Sequence, residues 1–509
     1  MRALPLEFSE YIWAPSIEEL AKQVELDVSQ IVRFDGNVPA QPSAAARPGA
    51  VAAALAEVNG YAHGGFRALV EAIADYAEVG PENVILGAGA DDLILLSART
   101  FAGPGDGVAI AESPTYPLYR TAAHLAGAEV GSDTPGVTFS CRPNNPTGEL
   151  GALPLARPLV VDEAYFEYAG ETAVGLIEDG VVVLRTFSKA FGLAGARVGY
   201  GLADAETAAE LNRRQAPQPI SNISAALALA ALRDRPDVSD QIAERERCGR
   251  ALAALGLEPL VSATNFLFVP ADEPEAIGAA LLRSGIVVRV FSDGFRFSVR
   301  DREDDDLLLE ALARILDQPS PVAAAAARRV RHLRATAETR IRVRLGLDGG
   351  GRVRVSTGAG IYDHFLEQLA FHAGFDLVLE GVGDLETGAH HTAEDASLAL
   401  GEALALVLGD RRGIARYGDS VVPMDDALAR AAVDLGGRPA FELQLERDPG
   451  LATHMLQSFA QAGRLALHVE ASGRDEHHVA EAAFKAVGRA LRAAVRIEGT
   501  GIPSTKGRL

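Results

Sequence analysis

Two segments, HHTAEDASLALGEAL at 390–404 and HHVAEAAFKAVGRAL at 477–491, share HHxAE, then small or apolar residues at matching offsets, then an identical Gly, Ala and Leu. A repeated unit of this kind buries its apolar stripe against its neighbour, so this part of the chain must fold as two like halves. Strand-forming stretches, DLVLEGVGD and RLALHVEASG, precede the copies and make each half a β/α unit. In each copy the Glu stands four residues after the first His and three after the second, which places it on one helix face with a His. Adjacent histidines project about 100° apart at 3.6 residues per turn, so each pair serves two different ions. Imidazole and carboxylate without thiolate suit Mn, Fe, Ni or Zn, and the pattern alone does not choose among them. Nine of the eleven histidines fall between His332 and His478, with His364 and His468 on segments near the repeats, so metal chemistry belongs to the C-terminal part.

The N-terminal part is built differently. Residues 81–200 alternate β-branched runs (VILGAG, GVAIAES, PLVVDEAY, GVVVLRTFS) with helical or Gly/Pro-punctuated stretches, the pattern of a mainly parallel sheet with crossover helices. From about 204 to 316, amphipathic helices mixed with strands predict a smaller α+β lobe. The stretch DQPSPVAAAAARRVRHLR then stops the last helix with two prolines. A Pro/Ala-rich linker is therefore placed at 319–330, between a domain of 1–318 and one of 331–509. The formal charge of −21 excludes general affinity for phosphate backbones, and nucleic acid is not an expected partner. Two cysteines, Cys141 and Cys248, provide neither a disulfide framework nor a thiolate metal cage. No secretory leader and no apolar run of about 20 residues is present, so a cytoplasmic protein that does not enter a membrane is expected.

Only four of the 48 basic residues are lysines: Lys22, Lys189, Lys485 and Lys506. Lys189, in TFSKAFGLAGARVGYG directly after GVVVLR, stands at a strand end, where desolvation makes an amine nucleophilic as a guanidinium cannot be. Asp162 closes the apolar run LVVD, a place for a carboxylate that pairs with a protonated ring nitrogen. GAGADD at 87–92 follows the strand NVIL and opens a helix whose amides suit a phosphate. PNNPTG and SPTYPLY add an amide side chain and an aromatic face. In this order the segments resemble the fold-type I pyridoxal-phosphate aminotransferases, most closely the histidinol-phosphate aminotransferases, over about 1–318. RTFSKAFGLAGARVGY is the most specific part of the match.

That resemblance implies pyridoxal 5'-phosphate as cofactor and Lys189 as the residue that forms the internal aldimine. It assigns Asp162 to the pyridinium, Asn145 and Tyr165 to the ring hydroxyl, and Tyr116 to stacking on the ring. It assigns phosphate contacts to the Ala88 and Gly89 amides, to Asp91 through the helix start, and to Ser188 and Arg197. Tyr61 would reach across from a second subunit of a homodimer. Arg289 and Arg296 match the arginines that bind the carboxylate or phosphate end of donor and acceptor, for which a bidentate fork suits both anions.

Over 328–509 the chain resembles imidazoleglycerol-phosphate dehydratase, through RATAET, YDHFLEQLAFH, GDLETGAHHTAEDASLALG, RYGDSVVPMDDALARAAVDLGGRP, GRDEHHVAEAAFKA and PSTKGRL. The resemblance implies two manganese ions held by His364, His390, His391, Glu394, His468, His477, His478 and Glu481, contributed by more than one subunit. It assigns proton transfer to Glu338, an acid group facing substrate to Asp425, and phosphate binding to Arg416, Arg438, Lys485, Ser504 and Lys506. It also implies a 24-subunit shell built from trimers, in which aminotransferase domains can pair on twofold axes. The expected architecture is a fold-type I transferase, with a mainly parallel large domain and a small α+β lobe, followed by an α+β domain of two repeated β/α halves. The expected function is two consecutive steps of histidine synthesis. The alternatives are a dehydratase fused to an aminotransferase or decarboxylase of other substrate, or to an inactive aminotransferase-like domain.

Overall fold

The computed structural model describes residues 13–40, 43, 45–46, 48–131, 135–322, 328–448 and 450–504. They form two compact units, one of 1–16 with 32–322 and one of 17–31 with 323–509.

The first unit is organised by a seven-stranded sheet. Its strands are β1 (Val84–Gly87), β2 (Gly107–Ile110), β3 (Glu129–Val130), β4 (Pro135–Cys141), β5 (Leu159–Asp162), β6 (Val181–Thr186) and β7 (Gly199–Leu202), in the order β1-β7-β6-β5-β4-β2-β3. Only β7 runs antiparallel to its neighbours. The central runs LVVD and VVVLRT are buried throughout, which is why they read as continuous apolar stretches and not as alternating ones. Parallel registry pairs Cys141 with Asp162 and Asp162 with Leu184, so Cys141, Asp162 and the Phe187–Ser188–Lys189 turn leave the sheet at one edge. The carboxyl ends of parallel strands are where open α/β sheets bind ligands. A small lobe adds the antiparallel strands Arg289–Phe291, Gly294–Ser298 and Phe266–Pro270, with helices Ser239–Ala254 and Arg302–Ile315. Both cysteines are buried.

The second unit shows the repeat directly. The first half contains β8 (Arg329–Ala335), β9 (Thr339–Gly346), β10 (Val353–Ser356), α1 (Ile361–Ala373), β11 (Asp376–Gly383) and α2 (His390–Leu408). The second half contains β12 (Tyr417–Met424), β13 (Ala427–Asp434), β14 (Ala440–Leu445), α3 (Ala452–Gly463), β15 (Ala466–Ser472) and α4 (Glu476–Ala494). Their sheets have one topology, β8-β9-β11-β10 and β12-β13-β15-β14, each with two antiparallel pairings and one parallel pairing. One apolar core runs through both halves.

The halves are exchanged at the helices, because α2 packs on α3 and α4 packs on α1. The Gly that the two repeats share marks both crossings. A Cβ at Gly401 would lie 2.5 Å from Phe459 O, and one at Gly488 would lie 2.3 Å from Leu369 O. Only the missing side chain lets these backbones meet.

Residues 17–31 group with the second unit by packing. Strand β9 turns Arg340 and Arg342 outward, and the helix Ile17–Val24 brings Glu18 to within 3.5 Å of Arg340.

Replacing Gly401 or Gly488 by Ala is expected to destabilise the second unit by about 1–3 kcal/mol through overpacking, read as a lower chemical-denaturation midpoint with an unchanged m-value.

Candidate active sites

In the first unit, Asp162, Lys189, Tyr116, Asn145, Tyr165, Ser188, Asp91 and Arg197 line a single cavity of about 180 Å³ together with Gly36, Val38 and Cys141. Asp162 is buried, and its two oxygens accept from the Tyr119 hydroxyl at 2.7 Å and the Ala164 N–H at 3.1 Å. Burial pushes its carboxyl up to about 6, and those two hydrogen bonds oppose the rise. Desolvation, and then the nearby Arg296, push the Lys189 amine down to about 8. The Tyr165 hydroxyl accepts from Asn37 Nδ2 at 3.0 Å. Asn145 Oδ1 accepts from Arg296, whose Nη2 also donates to Asp35 O at 3.1 Å.

One side of the cavity is the start of the helix Ala90–Phe101, entered through Gly89 at φ 89°. A Cβ on Gly89 would stand 2.7 Å from Arg197 Nη2 and displace the guanidinium, and the positive φ itself favours glycine here. Arg197 itself is left-handed at φ 50°, a conformation disfavoured for a non-glycine residue. Its Nη2 lies 3.3 Å from both Ala88 O and Asp91 Oδ2, and Asp91 Oδ1 accepts from Tyr116 at 3.1 Å. Ser188 Oγ accepts from Thr186 Oγ1 at 2.9 Å.

Two amides expected at the phosphate have partners within the loop. The Ala88 amide donates to Asp92 Oδ2 at 3.2 Å and the Gly89 amide to Gly87 O at 2.8 Å, so the loop satisfies both. The amides that helix geometry leaves for an anion are those of the first turn, from Ala90 onward. Arg289 pairs with Arg296 in strand register but is exposed, whereas Arg296 is buried. Tyr61 is 79% exposed and outside the cavity.

In the second unit the exchanged helices bring donors together in two matching triads. His390 and Glu394 of α2 meet His454 of α3, and His477 and Glu481 of α4 meet His364 of α1, with the donor atoms of each group within 4.8 Å of one another. Glu394 lies 3.6 Å from His390 Nε2 and 3.4 Å from His454 Nε2. Glu481 lies 3.1 Å from His477 and 3.7 Å from His364, and accepts from Lys485 Nζ at 2.9 Å. Burial alone would raise the Glu481 carboxyl, but Lys485 and the two imidazoles hold it below its usual value.

The second histidine of each pair turns away, as the helical angle requires. His391 Nδ1 meets Asp384 at 2.9 Å and Glu338 at 3.7 Å. His478 Nδ1 meets Asp426 at 2.6 Å, and its Nε2 lies 3.6 Å from Asp425. Hydrogen bonds that the imidazoles donate to Asp384 and Asp426 raise the pKa of His391 and His478 respectively. Glu338 and Asp425 occupy equivalent places, the turns that join β8 to β9 and β12 to β13.

His468 does not join either group. Along β15, Leu467, Val469 and Ala471 face the core, so alternation turns His468 to the exposed face of the sheet. His454, absent from the expected ligand set, completes the first triad; Asp384, Asp426, Tyr119 and Asn37 were also missed. The phosphate set is divided as well. Lys485 lies 3.4 Å from Met424 at the far end of β12, while Arg416 precedes its first residue and forms a bidentate pair with Asp434 at 2.7 and 3.1 Å. Eight extended residues separate them by roughly 24 Å. Arg416 donates to Pro503 O at 2.9 Å, next to Ser504, and Arg438 is exposed. Lys506 lies outside the described residues.

Fold and sites define a two-part enzyme, a lysine-and-aspartate transferase unit joined to a unit built on histidine and carboxylate triads. The family model for class I and II aminotransferases matches residues 21–132 and 131–312, and that for imidazoleglycerol-phosphate dehydratase matches 357–491. Imidazoleglycerol-phosphate dehydratases of Acidothermus cellulolyticus and Frankia casuarinae are 48% and 50% identical to 35% and 36% of this chain, which covers 90% and 98% of them. The crystal structure of histidinol-phosphate aminotransferase from Sinorhizobium meliloti in complex with pyridoxal-5'-phosphate is similar over 61% of this chain and 99% of that one, at 26% identity and a TM-score of 0.54. The chain belongs to the class I and II aminotransferases through its first unit and to the imidazoleglycerol-phosphate dehydratases through its second.

If the triads bind metal, His454→Ala is expected to lower divalent-metal stoichiometry by equilibrium dialysis, while His468→Ala leaves it at the unsubstituted value. Equal loss in both variants would contradict the triads as metal sites.

Proposed function

We propose that the chain is a bifunctional enzyme of histidine biosynthesis. The second unit removes water from imidazole glycerol phosphate to give imidazole acetol phosphate, and the first transfers an amino group from glutamate to that ketone, giving L-histidinol phosphate. The observation that carries this reading is that the paired triads and the Lys189–Asp162 cavity stand in one chain, one unit making the ketone that the other consumes.

The cavity fits pyridoxal phosphate. It has a buried carboxylate at one end, an amine between, and at the other end a helix start whose Gly89 leaves room for Arg197. Pyridoxal phosphate, when bound, supplies an electron sink for amino transfer. Asp162 would face the ring nitrogen, Asn145 and Tyr165 the ring hydroxyl, Tyr116 the ring face, and Ser188, Arg197 and the helix amides near Asp91 the phosphate. Lys189 Nζ, with its affinity for protons reduced by desolvation, is suited to accept and return a proton at neutral to mildly alkaline pH. Arg296, with Arg289 at the rim, would bind the carboxylate or phosphate end of each substrate.

The triads fit a divalent ion of manganese type. Each offers two imidazoles and one carboxylate, and His454 Nε2 is buried without a hydrogen bond, a cost that a bound cation removes. Manganese, when bound, supplies Lewis acidity for dehydration. Glu338 Oε2 and Asp425 Oδ2, at the two equivalent turns, would hold and move protons beside His391 and His478. Lys485 would supply cationic charge beside Glu481 and toward the phosphate. Arg416, Arg438 and Ser504 lie too far from Lys485 in one chain to bind the same phosphate, which favours sites shared between copies. A 24-mer of trimers, with aminotransferase units paired as dimers and Tyr61 crossing between them, answers that requirement. Light scattering at the mass of a trimer alone would contradict it.

Chelation of divalent metal is expected to abolish dehydration and leave amino transfer near its starting rate. Lys189→Ala is expected to do the reverse, lowering amino transfer by about 10³-fold or more. Separate assays with each unit's own substrate check both, and loss of amino transfer on chelation would contradict the division of labour.

A further inference from the structure

Tyr119 stands behind Asp162 and is absent from the cavity lining, but bonds to the Asp162 carboxylate. It is fully buried in the helix Leu118–Ala126. Its ring stacks on Phe139 at 5.5 Å and 18°, and meets Tyr116 edge-on at 5.9 Å and 83°. With the ring fixed on two sides, its hydroxyl can point in few directions, and it donates to Asp162 Oδ2 at 2.7 Å. The Ala164 N–H takes Oδ1 at 3.1 Å. Both carboxylate oxygens are therefore pinned from the protein side, and among the described residues Tyr119 supplies the one side-chain hydrogen bond to Asp162.

A buried carboxylate with no donor takes up a proton, which would deprive it of the charge that a protonated ring nitrogen needs. The charged and titratable groups around Asp162 are Asp91, Lys189, Cys141, Tyr116, Tyr165 and Tyr119. Asp91 acts against its ionisation, Lys189 favours it from across the cavity, and Tyr119 favours it at contact distance. Burial keeps Tyr119 itself protonated far beyond neutral pH, so it stays a donor throughout the working range.

We propose that Tyr119 is the positioning residue of the aminotransferase site, fixing the plane of the Asp162 carboxylate and keeping it ionised toward the cofactor. This rests on the reading of the cavity as a pyridoxal-phosphate site. Tyr119→Phe removes the hydroxyl and preserves both ring contacts. In the full-length protein, the dissociation constant for pyridoxal phosphate would be followed by absorbance from pH 5 to 9, beside the melting temperature of the cofactor-free protein.

The expected result is a dissociation constant about tenfold higher at neutral pH, the loss of one hydrogen bond to a charged group. Without the hydroxyl, Asp162 takes up its proton at a higher pH. Binding therefore fades earlier as pH falls, and the acid limb of the profile moves up by about one unit. In an Asp162→Asn background, Tyr119→Phe should add no further loss. An unchanged dissociation constant and acid limb would overturn the proposal. So would an equal loss at every pH with a lowered melting temperature, the signature of packing alone. If the unsubstituted protein bound no pyridoxal phosphate, the reading of the cavity would fail instead.

Discussion

The close approach of helix backbones at Gly401 and Gly488 governs the second unit. Each glycine lets a long repeat helix press against the shorter helix of the opposite half, with a carbonyl where a side chain would stand. That exchange sets where the candidate metal donors fall. His390 and Glu394 share a helix, but their partner His454 comes from the other half, and His477 with Glu481 take His364 in the same way. Neither half can assemble a complete triad from its own helices. The duplicated sequence thus yields two equivalent sites only because the duplicated helices trade partners.

The first unit meets a related problem by different means. A carboxylate and an amine have to stay reactive where water is scarce, at the ends of adjoining strands in a buried sheet. Registry places them there, and hydrogen bonds from a helix and a turn stabilise Asp162 in its charged form against the burial that disfavours it. The same desolvation weakens the hold of Lys189 on its proton. Further along, Arg197 keeps a left-handed backbone and occupies the room that Gly89 leaves. Strain at Arg197 and the absent side chain at Gly89 shape the entry to the helix Ala90–Phe101.

Much of this was written in the sequence. The HHxAE repeat announced two like halves and two directions for each histidine pair, because helical geometry fixes the angle between neighbours. Lys189 and Asp162 stood at the ends of apolar runs, and strand order did the rest. His454 was hidden because ATHMLQSFA contains no second histidine or carboxylate to mark it. Aligning it with YDHFLEQLA places His454 opposite His364, whereas aligning the strands places His468 opposite Val378, an apolar residue. Tyr119, Asp384 and Asp426 act through other side chains, and such contacts depend on packing between segments distant in sequence or on a turn's geometry. The grouping of residues 17–31 with the second unit was likewise invisible, since a partner such as Arg340 on β9 lies more than 300 residues later in the chain.

Joining the two units in one chain places a ketone-forming site and a ketone-consuming site at equal numbers in every assembly. The most direct measurement is mass spectrometry of a single reaction that contains this protein, pyridoxal phosphate, manganese, glutamate and imidazole glycerol phosphate. The account predicts histidinol phosphate as the product. Accumulation of imidazole acetol phosphate, with no histidinol phosphate formed, would contradict it.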